Sequence, residues 1–377
     1  MDRNTGETNM GGHGMIRRNR MLGGWTAKQL DGKQPCQKTL GVWATGLLFL
    51  VSLLVFPTAG VAAEKSEELT YRLKWLFNTS VVGDLWTDHQ GGFQARGLDV
   101  TVKAGGPERD AIKELELGYA DFGVASADQV IRAMAKGSPV VVICQLFQEN
   151  PLQWIYRSDH VTLGGLSDLK GKKIGVTFGG NDETILRALL AEGGISERDV
   201  SLYSVRYDYT PFYKKQVHIW PVYRNAQGLI LAEKLGAEGE PVDFFVPSRF
   251  GVKFVANSVV TSREMTETRP ETVRRFLAAL VEGWRQALAP ENQEKTMTVL
   301  RHYDKDTSRD MLLLQLAATR PVVQPETGVT IGTIDADAWR QTERIMQDQG
   351  LISEAVHIDQ ALRPQFLPEL PNMDETE

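Results

Sequence analysis

Residues Ala104–Val130 read AGGPERDAIKELELGYADFGVASADQV. The stretch divides into a strand end, a glycine turn, a helix, a short strand over Asp121–Ala125, and a second helix opening on Ser126. Pro107 suits a first helical position after Gly105-Gly106, and Glu108 and Asp110 suit the positive end of that helix's dipole. Ser126-Ala127-Asp128-Gln129 has capping-box spacing ahead of Val130, Ile131 and Met134, and Gly137 with Pro139 stops the helix. Two helix N-termini are thereby set beside strand ends, where backbone N–H groups can receive a small polar or anionic ligand. The stretch holds no nucleophile–base pair and no metal-ligand spacing. It suits capture better than chemistry.

Outward from this stretch the same pattern recurs. TYRLKWLF (residues 70–77) places Tyr71, Leu73, Trp75 and Phe77 on one face and reads as a strand, as does LDVTVKA (98–104), with a helical segment over 83–96 between them. VVVICQLF (140–147) is continuously apolar, the pattern of a central strand covered on both faces. After a polar break at 157–173, IGVTF leads through Gly179-Gly180-Asn181 into a helix with Ile185, Leu186, Leu189 and Leu190 inward. VSLYSV and 216–223 read as further strands, 226–235 as a helix, and VDFFVP as the strand closing this second unit. Beyond Phe250 the chain turns helical. Its clearest helix is 270–289, with Val273, Phe276, Leu277, Leu280, Val281, Trp284 and Leu288 on one stripe and Thr268-x-x-Glu271 as its capping box. No internal repeat is visible in the sequence. Two βα units joined by crossing segments predict an α/β fold of two lobes with a ligand cleft between them and C-terminal helices returning to the first lobe.

The N-terminal 63 residues read as processing sequence. Arg17, Arg18, Arg20, Lys28, Lys33 and Lys38 precede an apolar run over 40–56, and Pro57 and Val61-Ala62-Ala63 follow, predicting a mature start at Glu64. The leader is long, so Met15 or Met21 could be the true start. Retained, the 17-residue run would sit at the lower limit for a membrane anchor. Arg17-Arg18 lies too far upstream for a twin-arginine signal, and Cys36 precedes the run, so no lipid-attachment cysteine follows it. The expected location is the periplasm, with an anchored form as the alternative. Residues 1–63 carry seven Lys/Arg and three Asp/Glu, so 35 basic and 45 acidic residues remain and the net charge moves from −6 to −10. That balance excludes a basic nucleic-acid footprint and gives no polybasic membrane surface. One cysteine survives cleavage, Cys144, which reads as a small core residue. The domain reading is 1–63 leader, 64–156 first part of lobe 1, 157–249 lobe 2, 250–362 return to lobe 1 with the C-terminal helices, and 363–377 a flexible tail.

KWLFNTSVVG, GGFQARGLDV, GGPERDAIKELELGYADFGVASADQV, DLKGKKIGVTFGGNDETILRALL and VPSRFGVKFVANSVVTSRE, in this order, resemble one family. It is the periplasmic substrate-binding proteins of ABC importers, of the nitrate/sulfonate/taurine type. Within it the chain looks most like the binding proteins for the pyrimidine precursor of thiamine. The resemblance covers about 69–265 and implies a type II periplasmic-binding-protein-like fold, no cofactor, a monomer, and separate permease and ATPase subunits as partners. The thiamine-precursor pattern is Trp-x-x-Asn-Thr followed by Asn-His-Thr-Gly. Trp75, Asn78, Thr79 and Gly83 match it, whereas Ser80, Val81 and Val82 stand where Asn, His and Thr would be. Related fungal pyrimidine synthases use that histidine and a cysteine-rich motif, so with Val81 and a lone Cys144 the resemblance implies a binder rather than an enzyme. The pattern's Gly-Gly-Asn-Glu appears as Gly179-Gly180-Asn181-Asp182. Its later Tyr-Asn-Glu appears as Tyr223-Arg224-Asn225-Ala226-Gln227, so the acid is missing or replaced by Arg224, Asn225 or Gln227.

Candidate ligand residues are therefore Trp75, Asn78, Thr79, Gly83, Ser126, Gly179, Gly180, Asn181, Tyr223 and Asn225. Each has a plain structural alternative. Trp75 could pack in the core, Asn78 could make a turn, and Ser126 could only cap its helix. The glycines could form an ordinary strand-to-helix turn. Tyr207, Tyr209, Phe212 and Tyr213 with Asp208 could line the cleft or fill the second lobe, and Arg224 could fork onto an anion or sit in a surface ion pair. The five histidines after the leader occur singly, so a metal site is not expected. Gly105-Gly106 lacks the dinucleotide fingerprint, and no phosphate-loop lysine follows. The expected function is extracytoplasmic delivery of a small polar or heterocyclic molecule, a thiamine pyrimidine precursor among them, to an ABC importer. The alternatives are an enzyme on the same fold and a membrane-tethered sensory module.

Overall fold

Each half of the chain lays down strands whose parallel neighbours are too far apart in sequence to pair without a helix between them. The first half runs β1 (Glu67–Arg72), α1 (Val82–His89), β2 (Leu98–Lys103), α2 (Ala111–Glu116), β3 (Phe122–Ala125), α3 (Ala127–Met134) and β4 (Val140–Gln145). The second runs β5 (Leu152–Arg157), β6 (Lys173–Val176), α4 (Asn181–Glu192), β7 (Ser201–Ser204), α5 (Thr210–Tyr213), β8 (Ile219–Tyr223), α6 (Gln227–Ala237) and β9 (Val242–Phe245). The return segment holds β10 (Ser258–Ser262), α7 (Arg263–Thr268), α8 (Pro270–Leu288), α9 (Gln293–Tyr303), α10 (Arg309–Val323) and α11 (Ala336–Asp348). The structure is a computed structural model that describes residues 66–369 apart from 107, 207 and 326–329. The leader, the choice between cleavage and anchoring, and the end of the tail lie outside the described residues. Among the described residues no helix is long and apolar enough to cross a membrane.

The strands form two mixed sheets, ordered β2-β1-β3-β10-β4 and β7-β6-β8-β5-β9. In each, three parallel strands are followed by one antiparallel strand that arrives directly after the chain has crossed from the other sheet: β10 in the first, β5 in the second. The two lobes thus repeat one topology, although no repeat is visible in the residues. β5 belongs to the second sheet, so the crossing precedes Leu152 rather than following Tyr156. The two crossing segments lie together: the Asn150 amide donates to the Phe254 carbonyl at 3.0 Å, and the Leu146 and Phe147 N–H groups donate to the Asn257 carbonyl at 3.0 Å.

Several local expectations shift for identifiable reasons. β1 ends at Arg72, although the Leu73 N–H still donates to the Lys103 carbonyl and the Trp75 carbonyl still accepts from Gly105, and Leu73 and Phe77 stay with the first lobe's core. β4, expected in the centre, is last in its sheet's order. It is nonetheless fully buried, because isolated bridges from Gly332 and Leu362 cover its open edge. α2 begins at Ala111 under an Asp110 cap that accepts from the Ile112 and Lys113 N–H groups at 2.9 and 3.2 Å, and Pro107 lies outside the described residues. The Thr268–Glu271 capping box does not form, because Thr268 still belongs to α7 and its hydroxyl donates to the Glu264 carbonyl. Past Leu362, Phe366 is buried in the first lobe's core, so the expected loose tail is docked that far.

α8 carries the first lobe's core. Phe276 stacks on Phe122 with ring centroids 3.8 Å apart and meets Tyr71 edge-on at 5.1 Å, while Trp284 lies fully buried against α1. Each such side chain is worth roughly 1.5–3 kcal/mol of burial, which is why this stripe reads so clearly.

Candidate functional site

The carboxyl ends of the parallel strands in both sheets face one cavity of about 210 Å³. From the first lobe come Lys74 and Trp75 after β1, Asn78 and Ser80, Gly106, Arg109, Asp110 and Ala111 after β2, and Val124, Ala125 and Gln129 around the start of α3. From the second come Thr177–Asp182 after β6, Val205, Arg206 and Tyr209 after β7, Trp220–Tyr223 on β8, and Gln227. Leu152 and Asn257 stand at the crossings. Five aromatic residues stand among the lining: Trp75, Phe178 (half exposed), Tyr209, the fully buried Trp220, and Tyr223. Among the described residues lining it there is neither histidine nor cysteine.

Local chemistry explains how the turns hold their places. A Cβ on Gly105 would lie 2.0 Å from the Leu73 carbonyl oxygen, so glycine lets the turn after β2 press against the strand carrying Trp75, whose carbonyl accepts from the Gly105 N–H at 2.9 Å. At the start of α4, Gly179 needs its positive φ of 82°. The N–H of Gly179 donates to Glu183, that of Gly180 to the Thr177 carbonyl, and that of Thr177 to Asp182. The two glycines line the cavity, but their N–H groups are spent inside the turn.

Of the ten candidates, Trp75, Asn78, Gly179, Gly180, Asn181 and Tyr223 line the cavity and Thr79, Gly83, Ser126 and Asn225 lie outside its lining. Asn78 accepts from the Ser80 N–H at 2.8 Å, so its oxygen caps a turn while the residue borders the cavity. Tyr223 donates to Asn257 at 3.1 Å, and burial pushes its phenol up. Ser126 is consumed at the start of α3: its hydroxyl donates to Asp128 and its N–H to Gln129. Gly83 is occupied by packing against Trp284. Thr79 donates to Gln315 at 2.7 Å, and the Asn225 amide donates to Thr319 at 2.9 Å and to Ser80 at 3.3 Å. Gln315 completes this buried network by donating to the Ala226 carbonyl. The network bolts both lobes to α10, which therefore touches the second lobe as well as the first. Of the three replacements considered for the missing acid, only Gln227 reaches the lining; Arg224 is exposed.

Within the aromatic cluster, Tyr209 reaches the cavity, Phe212 is buried behind it against Trp220, and Tyr213 packs under Lys234; Tyr207 lies outside the described residues. Cys144 is buried in β4 with its thiol pushed up by burial, consistent with a core role. Histidines that are single in sequence need not be single in space: His89 and His302 have ring centroids 5.0 Å apart beside Tyr303, away from the cavity lining. No group of described residues is arranged to hold a metal ion.

Sequence reasoning passed over the most unusual lining residue, Lys74. Its ammonium nitrogen is out of contact with solvent and has no hydrogen-bond partner, although part of its stem is exposed. Burial pushes it down to about 8, against the pull of Asp128, Asp182 and Asp110. Asp182 is pushed up to about 6 by burial. Arg132 donates across the cleft to the Gly179 carbonyl at 3.4 Å, and Glu108 pairs with Arg206 at the mouth. Both side chains of that pair are well exposed, so it contributes little.

The NMT1/THI5-like family model matches residues 78–293, more than half of the sequence. The chain belongs to this family. The riboflavin-binding protein RibY of Chloroflexus aurantiacus is 29% identical over 66% of this chain and 70% of that protein. A putative thiamine biosynthesis protein of Haemophilus influenzae is 24% identical over 77% and 90%. A 4-amino-5-hydroxymethyl-2-methylpyrimidine phosphate synthase of Legionella pneumophila is 24% identical over 81% and 94%. Among solved structures, the alkanesulfonate-binding protein SsuA of Xanthomonas axonopodis pv. citri aligns with a TM-score of 0.62 at 18% identity, over 79% of this chain and 98% of that one. The fold is that of the periplasmic binding proteins, α/β with two mixed sheets.

Proposed function

We propose that this family member is an extracytoplasmic solute-binding protein that captures a small planar heterocycle and hands it to the permease and ATPase subunits of an ABC importer. The observation that carries the reading is the cavity itself, lined from both lobes, with Trp75 on one side and Phe178, Tyr209, Trp220 and Tyr223 on the other. Aromatic faces hold a planar ring by stacking while a few polar groups fix its orientation. A ligand touching both lobes favours their closed arrangement through differential affinity. At about 210 Å³ the cavity is below the roughly 300–1,000 Å³ usual for small-molecule sites. That favours a one-ring solute, a thiamine pyrimidine precursor being the amino-substituted candidate that the screen separates from oxo-substituted rings, and riboflavin, suggested by the name of one relative, is the larger alternative. Trp75, Asn78, Asn181 and Tyr223 are assigned to ligand contact. One relative is named a synthase, so catalysis on a related compound is the second reading; it requires a reacting group in the cavity, and Lys74 is the one lining amine among the described residues.

A thermal-shift screen of the purified protein against aminopyrimidines, oxopyrimidines, thiamine, riboflavin and alkanesulfonates tests this, with mass analysis of each recovered ligand. Ligand binding to the folded state raises the midpoint by mass action. A ring compound that shifts the midpoint, returns unchanged and loses affinity in Trp75→Ala supports capture. Recovery of an altered compound under turnover establishes the enzyme reading instead, and a shift with sulfonates alone removes the heterocycle.

A further inference from the structure

Two residues lining the cavity carry buried side-chain atoms with no hydrogen-bond partner: Lys74 through Nζ and Asn181 through Nδ2. Both atoms are nitrogen donors. An amide can turn and offer its oxygen instead, but an ammonium has three donors and no acceptor, so Lys74 alone fixes what must face it.

The carboxylates around Lys74 are already engaged. Asp128 on α3 accepts from the Ser126 hydroxyl and from Arg132. Asp110 caps α2, and Asp182 on α4 accepts from the Thr177 N–H. These anions lend field to the lysine without touching its nitrogen. An unpartnered buried cation is costly, and proteins retain one where something else completes it. The completing atom must come from the cavity.

We propose that Lys74 is the polar anchor of the binding site, selecting planar rings that carry a carbonyl or carboxylate oxygen, with Asn181 meeting a second polar atom of the ring. The proposal rests on the solute-binding reading and names the substrate class of that same site: oxo- or carboxy-heterocycles rather than purely amino-substituted ones. Lys74 then does for the ligand what the aromatic walls cannot, which is to choose its sign.

The test measures dissociation constants of uracil, orotate and 4-aminopyrimidine with wild type, Lys74→Met and Lys74→Gln. A charge-assisted hydrogen bond lost from a buried site lowers affinity by about 10–100-fold. Wild type is expected to prefer orotate or uracil. Lys74→Met should lose that factor for them while leaving 4-aminopyrimidine unchanged or improved, and Lys74→Gln should fall between. Binding an oxygen anion stabilises the charged lysine, so wild-type affinity should fall as pH rises past about 8. The charged groups facing Lys74 are Asp110, Asp128, Asp182, Arg109 and Arg132, and Asp182, pushed up to about 6, is already ionised there. The Lys74→Met profile should be flat from pH 7 to 9, below the ionisation of the ring N–H groups of the ligands. The free Lys74→Met protein should melt no lower than wild type, because the ammonium it removes has no partner. Equal affinities in wild type and Lys74→Met, or a variant that melts several degrees lower, overturn the proposal and leave the binding function standing. Failure of wild type to bind any ring compound, riboflavin and thiamine included, overturns the binding function and the proposal with it.

Discussion

Gly83 separates a residue named by resemblance from one placed by packing, and Gly83→Ala tests the difference. Gly83 lies on α1 where that helix crosses α8. A Cβ built on it would stand 2.1 Å from Cγ and Cδ2 of Trp284 and 2.6 Å from Cδ1. Carbon atoms rest about 3.5–4.0 Å apart, so the helices must separate by more than an ångström or the indole must turn. Trp284 has little room: it is fully buried and meets Phe147 edge-on with centroids 6.3 Å apart. The crossing is tight from the other side too. A Cβ on Gly283 would fall 1.8 Å from the Thr87 hydroxyl oxygen, and that hydroxyl donates to the Gly83 carbonyl at 2.7 Å. Overpacking a core of this kind costs about 1–3 kcal/mol and sometimes more, while exchanging glycine for alanine within a helix returns up to about 1 kcal/mol. With an overlap this deep the cost should reach about 3 kcal/mol, leaving a net loss of about 2–3 kcal/mol. At about 2–4 °C per kcal/mol for a chain of a couple of hundred residues, the melting temperature should fall by roughly 4–12 °C. Scanning calorimetry reads the fall directly. Affinity for whichever ligand the screen identifies should hold, since the residue lies outside the cavity wall. An unchanged melting temperature, or weakened binding without destabilisation, would refute the packing argument.

Asp84 is buried with Tyr71 donating to it at 2.5 Å, and burial pushes its carboxyl up to about 7. The folded state therefore keeps a proton that the unfolded state has lost between about pH 4 and 7, so stability falls as pH rises through that window and then levels. Asp84→Asn should match wild type near pH 4 and exceed it at pH 8 by on the order of a few kcal/mol. Asp182 contributes in both proteins and cancels; urea midpoints at the two pH values that move in parallel would sink the argument. Asn225→Ala removes the donor to the Ser80 and Thr319 hydroxyls, although Thr319 still donates to the Gln315 carbonyl, and should cost about 1–3 kcal/mol. Calorimetry that finds no loss of stability while binding weakens would return Asn225 to the cavity wall. The Lys173 ammonium lies 5.1 Å from the ring of Tyr203, which stands on the edge strand β7, and Lys173→Ala should lower the melting temperature by no more than about 4 °C, because a cation–π contact open to solvent contributes about 0.5–1 kcal/mol; a larger drop would mean the contact is not a surface one.

Much of the fold could be read from residues because its elements carry strong local patterns. The stripe of α8, the turn glycines before α4, and the alternation of strand and helix all specify themselves within a dozen positions. What escaped needs partners far away in sequence. VVVICQL is apolar on both faces, but its second neighbour in the sheet is no strand; Gly332 and Leu362 close that edge, and no local pattern announces them. The crossing before Leu152 had a signal in Asn150-Pro151, yet only the pairing of β5 with β8 and β9 assigns the strand to the second sheet. Lys74 was hidden in plain alternation. Between Leu73 and Trp75 it reads as the solvated member of a strand, and its burial arises because this end of the strand faces the cleft, where the starts of α3 and α4 bring Asp128 and Asp182 near it.

Three asparagines at strand and helix ends make the same point about the site. Asn78 spends its oxygen capping a turn; Asn225 spends its amide nitrogen joining two lobes to α10 and leaves an unpartnered oxygen outside the cavity lining; Asn181 keeps, within the lining and beside the Tyr223 phenol, a buried amide nitrogen that makes no full hydrogen bond. The residue type is constant, and its sequence neighbourhoods resemble one family's motifs equally well, so similarity alone cannot rank the three. The ranking follows from asking where each buried polar group finds its partner. A group satisfied within the chain builds the cavity, and a group left unsatisfied in its wall is the part of the site that a ligand can complete. By that criterion Asn225 belongs to the architecture, Asn181 to recognition, and Lys74, whose unmet demand is a full charge, to the choice of ligand.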